Sequence, residues 1–327
     1  VPRYDRRATE GARVIRLATI GTSMITGRLI DAAAAVPEVE VTTVYSRDRA
    51  RGERYAREHG IPGVADDLAA LLASDEVDAV YIASPNGLHV EQALAALKSG
   101  THVLLEKPAV PTAAEWEALV SAARAHGVVL LEAMRNVYDP GMAGIRALLP
   151  RLGTLRRASL GYSQRSARYD RVLAGELVNI FDPALYGGAA YDLGVYCVSA
   201  MVELFGAPER VLAASVPIAT GADGAGVALA VYPGLVVDVS YSKITASDRV
   251  NEVQGELGTL TFDHVTRPRS ARVTLLDGTT TDHVFDGVEN NMVYEVERFA
   301  ALVDGADATT DQARTLETIR VVEAVKA

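Results

Sequence analysis

Val14-Ile15-Arg16-Leu17-Ala18-Thr19-Ile20 runs directly into Gly21-Thr22-Ser23-Met24-Ile25-Thr26-Gly27. A short apolar run that stops at a glycine and gives way to helix-spaced residues reads as a strand, a tight turn and a helix start. The glycine permits the turn. The free N–H groups of the first helical turn then face a spot beyond the strand end that suits the pyrophosphate of a dinucleotide. The full glycine fingerprint is absent, because Ser23 and Thr26 stand where its second and third glycines fall. Taken alone, the turn fits a plain strand–helix connection as well as it fits a nucleotide site.

The surrounding rhythm favours the nucleotide reading. After the helix Met24–Ala35 come a strand at Glu40–Tyr45, a helix at Asp48–Glu58 and a short helix at Asp66–Leu72 with an aspartate cap. A strand at Asp78–Ala83, a helix at Leu88–Lys98, a strand at Thr101–Leu105, a helix at Thr112–His126 and a strand at Val128–Leu131 follow. Thr112 with Glu115 three residues on has capping-box spacing. Such alternation predicts a doubly wound parallel sheet of the Rossmann type over residues 12–134.

Past Pro140 the pattern changes. A helix at Met142–Leu149, a strand at Leu155–Gln164 and a helix at Ala189–Leu204 precede β-rich runs at Arg210–Pro217, Val227–Tyr232, Leu235–Ser242, Val250–Gln254, Thr259–Phe262 and Ala271–Leu275. Short turns such as Tyr232-Pro233-Gly234 join them, and helices at Met292–Val303 and Ala313–Val325 end the chain. Residues 135–327 are therefore expected to form an α+β domain on a large, open, mostly antiparallel sheet.

Length and composition bound the function. At 327 residues the chain suits two domains, and 49% hydrophobic with 23% charged residues is ordinary globular composition. A net charge of -10 without a basic stripe argues against nucleic-acid partners. No apolar run is seen to reach the roughly 18 residues of a membrane span. Val1–Arg7 lacks an apolar core, so it reads as a loose tail rather than a secretory signal. A single cysteine, Cys197, excludes an internal disulfide and fits a reducing cytoplasm. No His/Cys/carboxylate cluster has ligand spacing, so no metal is expected. There are only four lysines, at 98, 107, 243 and 326, and no histidine lies between His126 and His264.

Three places carry candidate chemistry. The tip of the second strand reads Tyr45-Ser46-Arg47-Asp48. A carboxylate ending that strand would select NAD, whereas the Ser46 hydroxyl and the Arg47 fork suit the 2′-phosphate of NADP. NADP is the expected cofactor and NAD the alternative. Leu104-Leu105-Glu106-Lys107-Pro108 puts an isolated lysine at the end of an apolar parallel strand, the edge where open α/β sheets bind ligands. In Gly187-Gly188-Ala189-Ala190-Tyr191-Asp192-Leu193-Gly194-Val195-Tyr196, a helix would put Asp192 and Tyr196 on one face. A first-turn carboxylate and a packing aromatic would also explain that pair.

These segments, with Ala83-Ser84-Pro85-Asn86 and His89, and with Glu132-Ala133-Met134, follow one another in an order and spacing that resembles the Gfo/Idh/MocA oxidoreductases. The similarity spans nearly the whole chain. It is nearest to the branch holding dimeric dihydrodiol dehydrogenases and NADP-dependent xylose dehydrogenases. The resemblance implies that Lys107 lies between nicotinamide and substrate, with Asp192 and Tyr196 completing the catalytic set. Tyr196 stands where many members carry histidine, and residues 127–263 offer no histidine in its place. Cofactor contacts are implied for Gly21, Thr22, Ser23, Met24, Ile25, Ser46, Arg47, Ser84, Pro85, Asn86, His89, Glu106 and Lys107. His89 could equally pack or cap a helix. Arg135, Arg168, Tyr169 and Asp192 are candidates for the substrate pocket, with a solvated loop as the alternative for the run around Arg168. Arg135-Asn136-Val137-Tyr138 departs from the tryptophan-led segment of the dihydrodiol dehydrogenases, which counts against an aromatic dihydrodiol. The second domain would form the substrate wall and a subunit face, giving a homodimer or homotetramer.

Oxidising an alcohol requires loss of a hydride while a base takes the hydroxyl proton. A phenol, with a free pKa near 10, serves better as that base beside an ammonium. Lysine can also hydrogen-bond the substrate oxygen as it gains alkoxide character. The expected function is hydride transfer between a nicotinamide and a sugar, polyol or related cyclic alcohol or ketone. A non-catalytic dinucleotide sensor is the competing reading; it would need the turn and Ser46-Arg47 but not Lys107, Asp192 and Tyr196. A lyase or hydrolase holding NAD is a third.

Overall fold

The computed structural model describes residues 14–326, so the tail at Val1–Arg7 and the domain start at residue 12 lie outside it. Six parallel strands form the first sheet: β1 (Ile15–Ile20), β2 (Val39–Tyr45), β3 (Gly63–Ala65), β4 (Ala79–Ile82), β5 (His102–Glu106) and β6 (Leu130–Ala133). Their spatial order is β3-β2-β1-β4-β5-β6, the doubly wound arrangement that reverses direction between β1 and β4. The helices α1 (Met24–Ala33), α2 (Arg49–His59), α3 (Leu68–Leu72), α4 (His89–Lys98) and α5 (Ala113–His126) cross between the strands. Near-continuous apolar strands are what a sheet covered on both faces demands. Val80, Ile82, Val103 and Leu105 pack against Leu97, Trp116 and Leu119 on one side. Leu17, Tyr81, Leu104 and Leu131 pack on the other.

Register brings the strand ends to one edge. Ile20 pairs with both Tyr45 and Ile82, Ile82 with Leu105, and Glu106 with Ala133. Gly21, Ser46, Ala83, Lys107 and Met134 therefore follow directly from neighbouring strands at the switch point.

The chain then enters α6 (Arg135–Tyr138) and α7 (Pro140–Leu148) and builds a second sheet. Its strands are β7 (Leu155–Ser163), β8 (Arg210–Pro217), β9 (Asp223–Tyr232), β10 (Leu235–Ser242), β11 (Asn251–Gly255), β12 (Gly258–Phe262), β13 (Ser270–Leu275) and β14 (Thr280–Val284). The order is β14-β13-β12-β11-β7-β10-β9-β8, antiparallel except where β7 runs parallel to β10. One face carries Ala158, Leu160, Val237, Val239, Val253, Leu260 and Val273 into a core with α9 (Val195–Phe205). Between β7 and α9 lie α8 (Tyr169–Leu173), two short 3-10 turns and a π turn at Ala190–Gly194.

The first sheet ends with β6 at Ala133 and the second begins with β7 at Leu155, but the end of the chain returns to the first. In α10 (Met292–Val303), Met292, Val296 and Phe299 are buried in the core of the parallel sheet. In α11 (Thr309–Lys326), Ile319 joins the other side of that core while Val321 and Val322 join that of the second domain.

Several expectations need correction. The three-residue β3 and the edge strand β14 carry no apolar alternation and were not anticipated. β6 begins at Leu130 rather than Val128: Gly127 ends α5 at φ 66°, and the Val128 N–H bonds back to Ala123 O, so that residue still belongs to the helix end. By length and composition alone the segment Pro183–Phe205 could cross a membrane. It is 78% buried inside the protein, as a core element of the second domain.

Candidate active site at the domain junction

The turn after β1 requires glycine. Gly21 has φ 128°, and a Cβ there would come 2.7 Å from the Ala83 carbonyl oxygen. Ser23 then caps α1, its N–H bonding to Thr26 Oγ1 at 3.4 Å. Gly27, one place beyond the usual third glycine, lets α1 approach α2, since a Cβ would press on the His59 ring. The Tyr55 hydroxyl donates to Ser23 O at 2.9 Å and fixes the turn from the same side. Ile25 is half-buried, while Met24 at 84% exposure stands over the edge with Thr22 and Ser23.

At the tip of β2 the Ser46 hydroxyl donates to Asp48 O at 2.8 Å, and Asp48 accepts from Arg51 N at 3.0 Å as the cap of α2. Asp48 is thereby turned into its own helix. Arg47 is exposed and carries no side-chain partner among the described residues. Arg51, which sequence reasoning missed, reaches Thr22 O at 3.4 Å and bridges the two strand tips. Its place one helical turn past Arg47 was the available signal. An open helix N-terminus, a turn with no Cβ and an unpaired guanidinium make a cradle that fits a dinucleotide phosphate.

After β4, the Ser84 hydroxyl donates to Gln92 Oε1 at 2.7 Å, and Asn86 Nδ2 reaches Tyr186 O of the second domain at 3.2 Å past the exposed turn begun by Pro85. His89 is only 1% exposed. Its Nδ1 lies 3.1 Å from Pro108 O and its Nε2 3.0 Å from Ser84 O, so the ring braces two edge loops against each other. Burial pulls its imidazole below the usual range.

The end of β5 and the residue after it carry the candidate catalytic groups. Glu106 is buried, accepting the Tyr81 hydroxyl at 2.6 Å and the Lys107 N–H at 3.0 Å. Burial drives its carboxyl up, with the Lys107 charge opposing. Lys107 Nζ donates to Asp192 O at 2.9 Å and Asp192 Oδ1 at 2.8 Å, and stands 4.7 Å from the centre of the Tyr196 ring. Burial alone would lower the Lys107 ammonium, but the Asp192 charge outweighs it and holds it above the ordinary lysine range. The three residues expected to act together do converge, although Lys107 and Asp192 are 85 positions apart.

The second domain holds its two residues firmly. Gly188 has φ 139°, and a Cβ there would run into the Asp223 carboxylate. That carboxylate accepts Ala190 N at 2.7 Å and so starts the π turn bearing Asp192. Asn136 Nδ2 donates to Tyr196 O at 3.0 Å. Arg135 lies 5.3 Å from the Tyr196 ring centre, on that tyrosine alongside Lys107.

Two residues to which the sequence reading gave no role join this cluster. Lys243, directly after β10 and 4% exposed, donates to Asp192 Oδ2, so one carboxylate serves two ammoniums. Burial raises the Asp192 carboxyl, yet both lysines together hold it well below the usual range. The scarcity of lysine that singled out Lys107 applied equally to Lys243. His264 packs edge-on to Tyr162 at 4.8 Å, and Tyr162 lies 6.2 Å from Tyr196. His264, one residue beyond the interval without histidines, thus reaches the cluster through the Tyr162 ring.

Arg168 is exposed on the loop after β7. Tyr169 packs 5.9 Å from Phe181, whose ring faces Lys243 Nζ at 5.7 Å. Among the described residues, no group of three or more His, Cys, Asp or Glu side chains is placed to hold a metal ion.

Comparisons with known proteins identify the family. The family model for oxidoreductases with an NAD-binding Rossmann fold, GFO_IDH_MocA, matches residues 15–134, and a GFO/IDH/MocA C-terminal domain model matches residues 150–261. The scyllo-inositol 2-dehydrogenase (NADP(+)) IolU of Bacillus subtilis is 38% identical, with 95% of each chain covered. D-xylose 1-dehydrogenase (NADP(+)) 2 of Haloferax volcanii is 32% identical over 94% of each. The crystal structure of KijD10, a 3-ketoreductase from Actinomadura kijaniata in complex with NADP and TDP-benzene, superposes with a TM-score of 0.87 at 25% identity, covering 96% of this chain and 97% of that one. The chain belongs to the Gfo/Idh/MocA family of oxidoreductases.

Proposed function

We propose that the protein is an NADP-dependent oxidoreductase that interconverts a secondary alcohol and a ketone on a sugar or cyclitol. The observation that carries this reading is the convergence of Lys107, Asp192 and Tyr196 at the carboxyl edge of the parallel sheet, beside the Gly21 turn. The names of the inositol and xylose relatives favour the same substrate class and the same cofactor.

Gly21, Thr22, Ser23, Met24 and Ile25 would receive the pyrophosphate, and Ser46 and Arg47 the 2′-phosphate. Asp48 is engaged as the cap of α2, while Arg47 beside it offers a free guanidinium, which favours NADP over NAD. Ser84, Pro85, Asn86, Glu106 and Lys107 would border the nicotinamide, with His89 bracing them from behind. Bound there, the nicotinamide supplies a hydride acceptor or donor.

The chain's own groups do the rest. A lysine ammonium has three donors, and Asp192 takes two of those of Lys107, leaving the third for the substrate oxygen. Among the described residues nothing holds the Tyr196 hydroxyl, which is free to take the alcohol proton in oxidation or return one in reduction. Asp192 keeps Lys107 charged and aimed. Arg168, Tyr169 and Arg135 border the space from the second domain and contribute to substrate binding.

The outer face of the second sheet exposes Leu212, Val216, Val227, Leu229 and Val236 on adjacent strands, a surface suited to a second copy of the chain. A buried, unpaired Cys197 fits the reducing cytoplasm.

The test is a panel of polyols, cyclitols and aldoses with NADP or NAD, read at the nicotinamide absorbance, on the wild type and on Lys107→Met. Turnover should require Lys107, while NADP binding by fluorescence titration survives the substitution. Undiminished turnover by Lys107→Met overturns the assignment.

A further inference from the structure

We propose that Lys243 is a positioning residue for this reaction: it takes the second oxygen of Asp192 and leaves the cluster with one uncompensated positive charge where the substrate oxygen ionises. The inference rests on the catalytic reading above. Asp192 faces the junction with 30% of its side chain exposed, while the side chains of Lys107 and Lys243 are 11% and 5% exposed. Each ammonium holds a different carboxylate oxygen, so the carboxylate cannot rotate without breaking one ion pair. That fixes Oδ1 on Lys107 and thereby the direction of its remaining N–H.

Charge counting supplies the second half of the argument. One carboxylate cannot neutralise two ammoniums. The groups facing Lys243 are Asp192 from the π turn, Lys107 across it, the charge of Arg168 from the loop after β7, and the Phe181 ring. The loop is tied to the lysine itself, because Ser166 N bonds to Lys243 O at 2.8 Å. No second carboxylate is among these groups, and burial pulls Lys243 below the ordinary lysine range, as an uncompensated ammonium should be. An alkoxide forming next to Lys107 supplies the missing negative charge. The field is therefore present before the reaction and is satisfied only as charge develops on the substrate, which lowers the barrier rather than tightening ground-state binding.

The test compares wild type, Lys243→Met and Lys243→Arg on a polyol found active, with kcat, KM, NADP affinity and the primary deuterium isotope effect on kcat as readouts. Loss of the ammonium should lower kcat by about 100-fold, the usual cost of removing one preorganised donor. KM and NADP affinity should stay within about threefold, and the isotope effect should rise as hydride transfer becomes limiting. Lys243→Arg, which keeps the charge, should recover most of kcat; loss in Arg equal to that in Met overturns the proposal. So does a Lys243→Met enzyme whose loss lies in KM or NADP affinity with an unchanged isotope effect, since that marks a purely structural lysine. Wild-type kcat in Lys243→Met, with Lys107→Met inactive, refutes the Lys243 role alone. Undiminished turnover by Lys107→Met refutes the catalytic reading beneath it.

Discussion

Glu132 offers a quantitative check on how the catalytic edge is held. It lies in β6, is 2% exposed, and accepts the Ala109 N–H at 2.9 Å, two residues beyond Lys107. Burial pushes its carboxyl up to about 7; the Ala109 N–H, the Thr315 hydroxyl and the Arg314 charge pull back, while Glu106 pushes further. The sign follows from linkage. Below the unfolded value of 4.5 the group is neutral in both states and costs nothing; between 4.5 and about 7 the unfolded chain ionises first, and stability falls; above that the cost is complete. At 1.36 kcal/mol per unit, the interval amounts to about 3 kcal/mol. Glu132→Gln keeps an acceptor for Ala109 and removes the ionisation. Relative to wild type, the variant should therefore gain about 3 kcal/mol between pH 4 and pH 8, roughly 5 °C in Tm for a chain of this size. Thermal unfolding of both proteins at the two pH values measures it, and subtracting wild type cancels the other titrating groups. A difference that is the same at pH 4 and pH 8, or that shrinks as pH rises, refutes the reasoning.

The Arg47→Ala variant should bind NADP about ten- to a hundredfold more weakly, the scale of one charge-assisted contact, with NAD affinity unchanged. Fluorescence titration with both cofactors decides it, and equal effects on the two would make Arg47 a surface charge only. Tyr196→Phe should lower kcat by about 10²–10⁴-fold with Tm unchanged, because the ring keeps its place between Lys107 and Arg135 while the proton-carrying hydroxyl goes. Steady-state kinetics beside thermal unfolding would expose a role in packing instead.

The parallel sheet was legible because its strands are buried on both faces and its helices carry caps; the Thr112–Glu115 box stands as the spacing indicated, with Thr112 N accepted by Glu115 at 3.1 Å. What escaped was either short or set by distant contacts. β3 is three residues long, and β14 is a polar edge strand held only by β13. The π turn under Asp192 depends on Asp223, which lies 33 positions beyond Ala190 and is itself paired with Lys326. Lys107, Asp192 and Tyr196 could be singled out because they sit in two short motifs, Glu106-Lys107-Pro108 and Gly187–Tyr196. Lys243 sits in none, at the end of an alternating strand. It reaches Asp192 because β10 lies parallel to β7 with Ser242 opposite Ser163, a pairing made across a crossover of some seventy residues that no local spacing encodes.

Net charge illustrates the same separation between what a chain reports as a whole and what a site feels. A total of -10 describes the chain as a whole, yet two of the four lysines and Arg135 are gathered around Asp192 and Tyr196. Burial pushes the Glu106 and Glu295 carboxyls behind them up, and among the described residues neither oxygen of Glu295 has a hydrogen-bond partner. Asp192, held by two ammoniums, goes the other way and lies well below the usual carboxylate range. Removing Asp192 should therefore harm the site by leaving Lys107 and Lys243 to repel each other rather than by removing an acid or base.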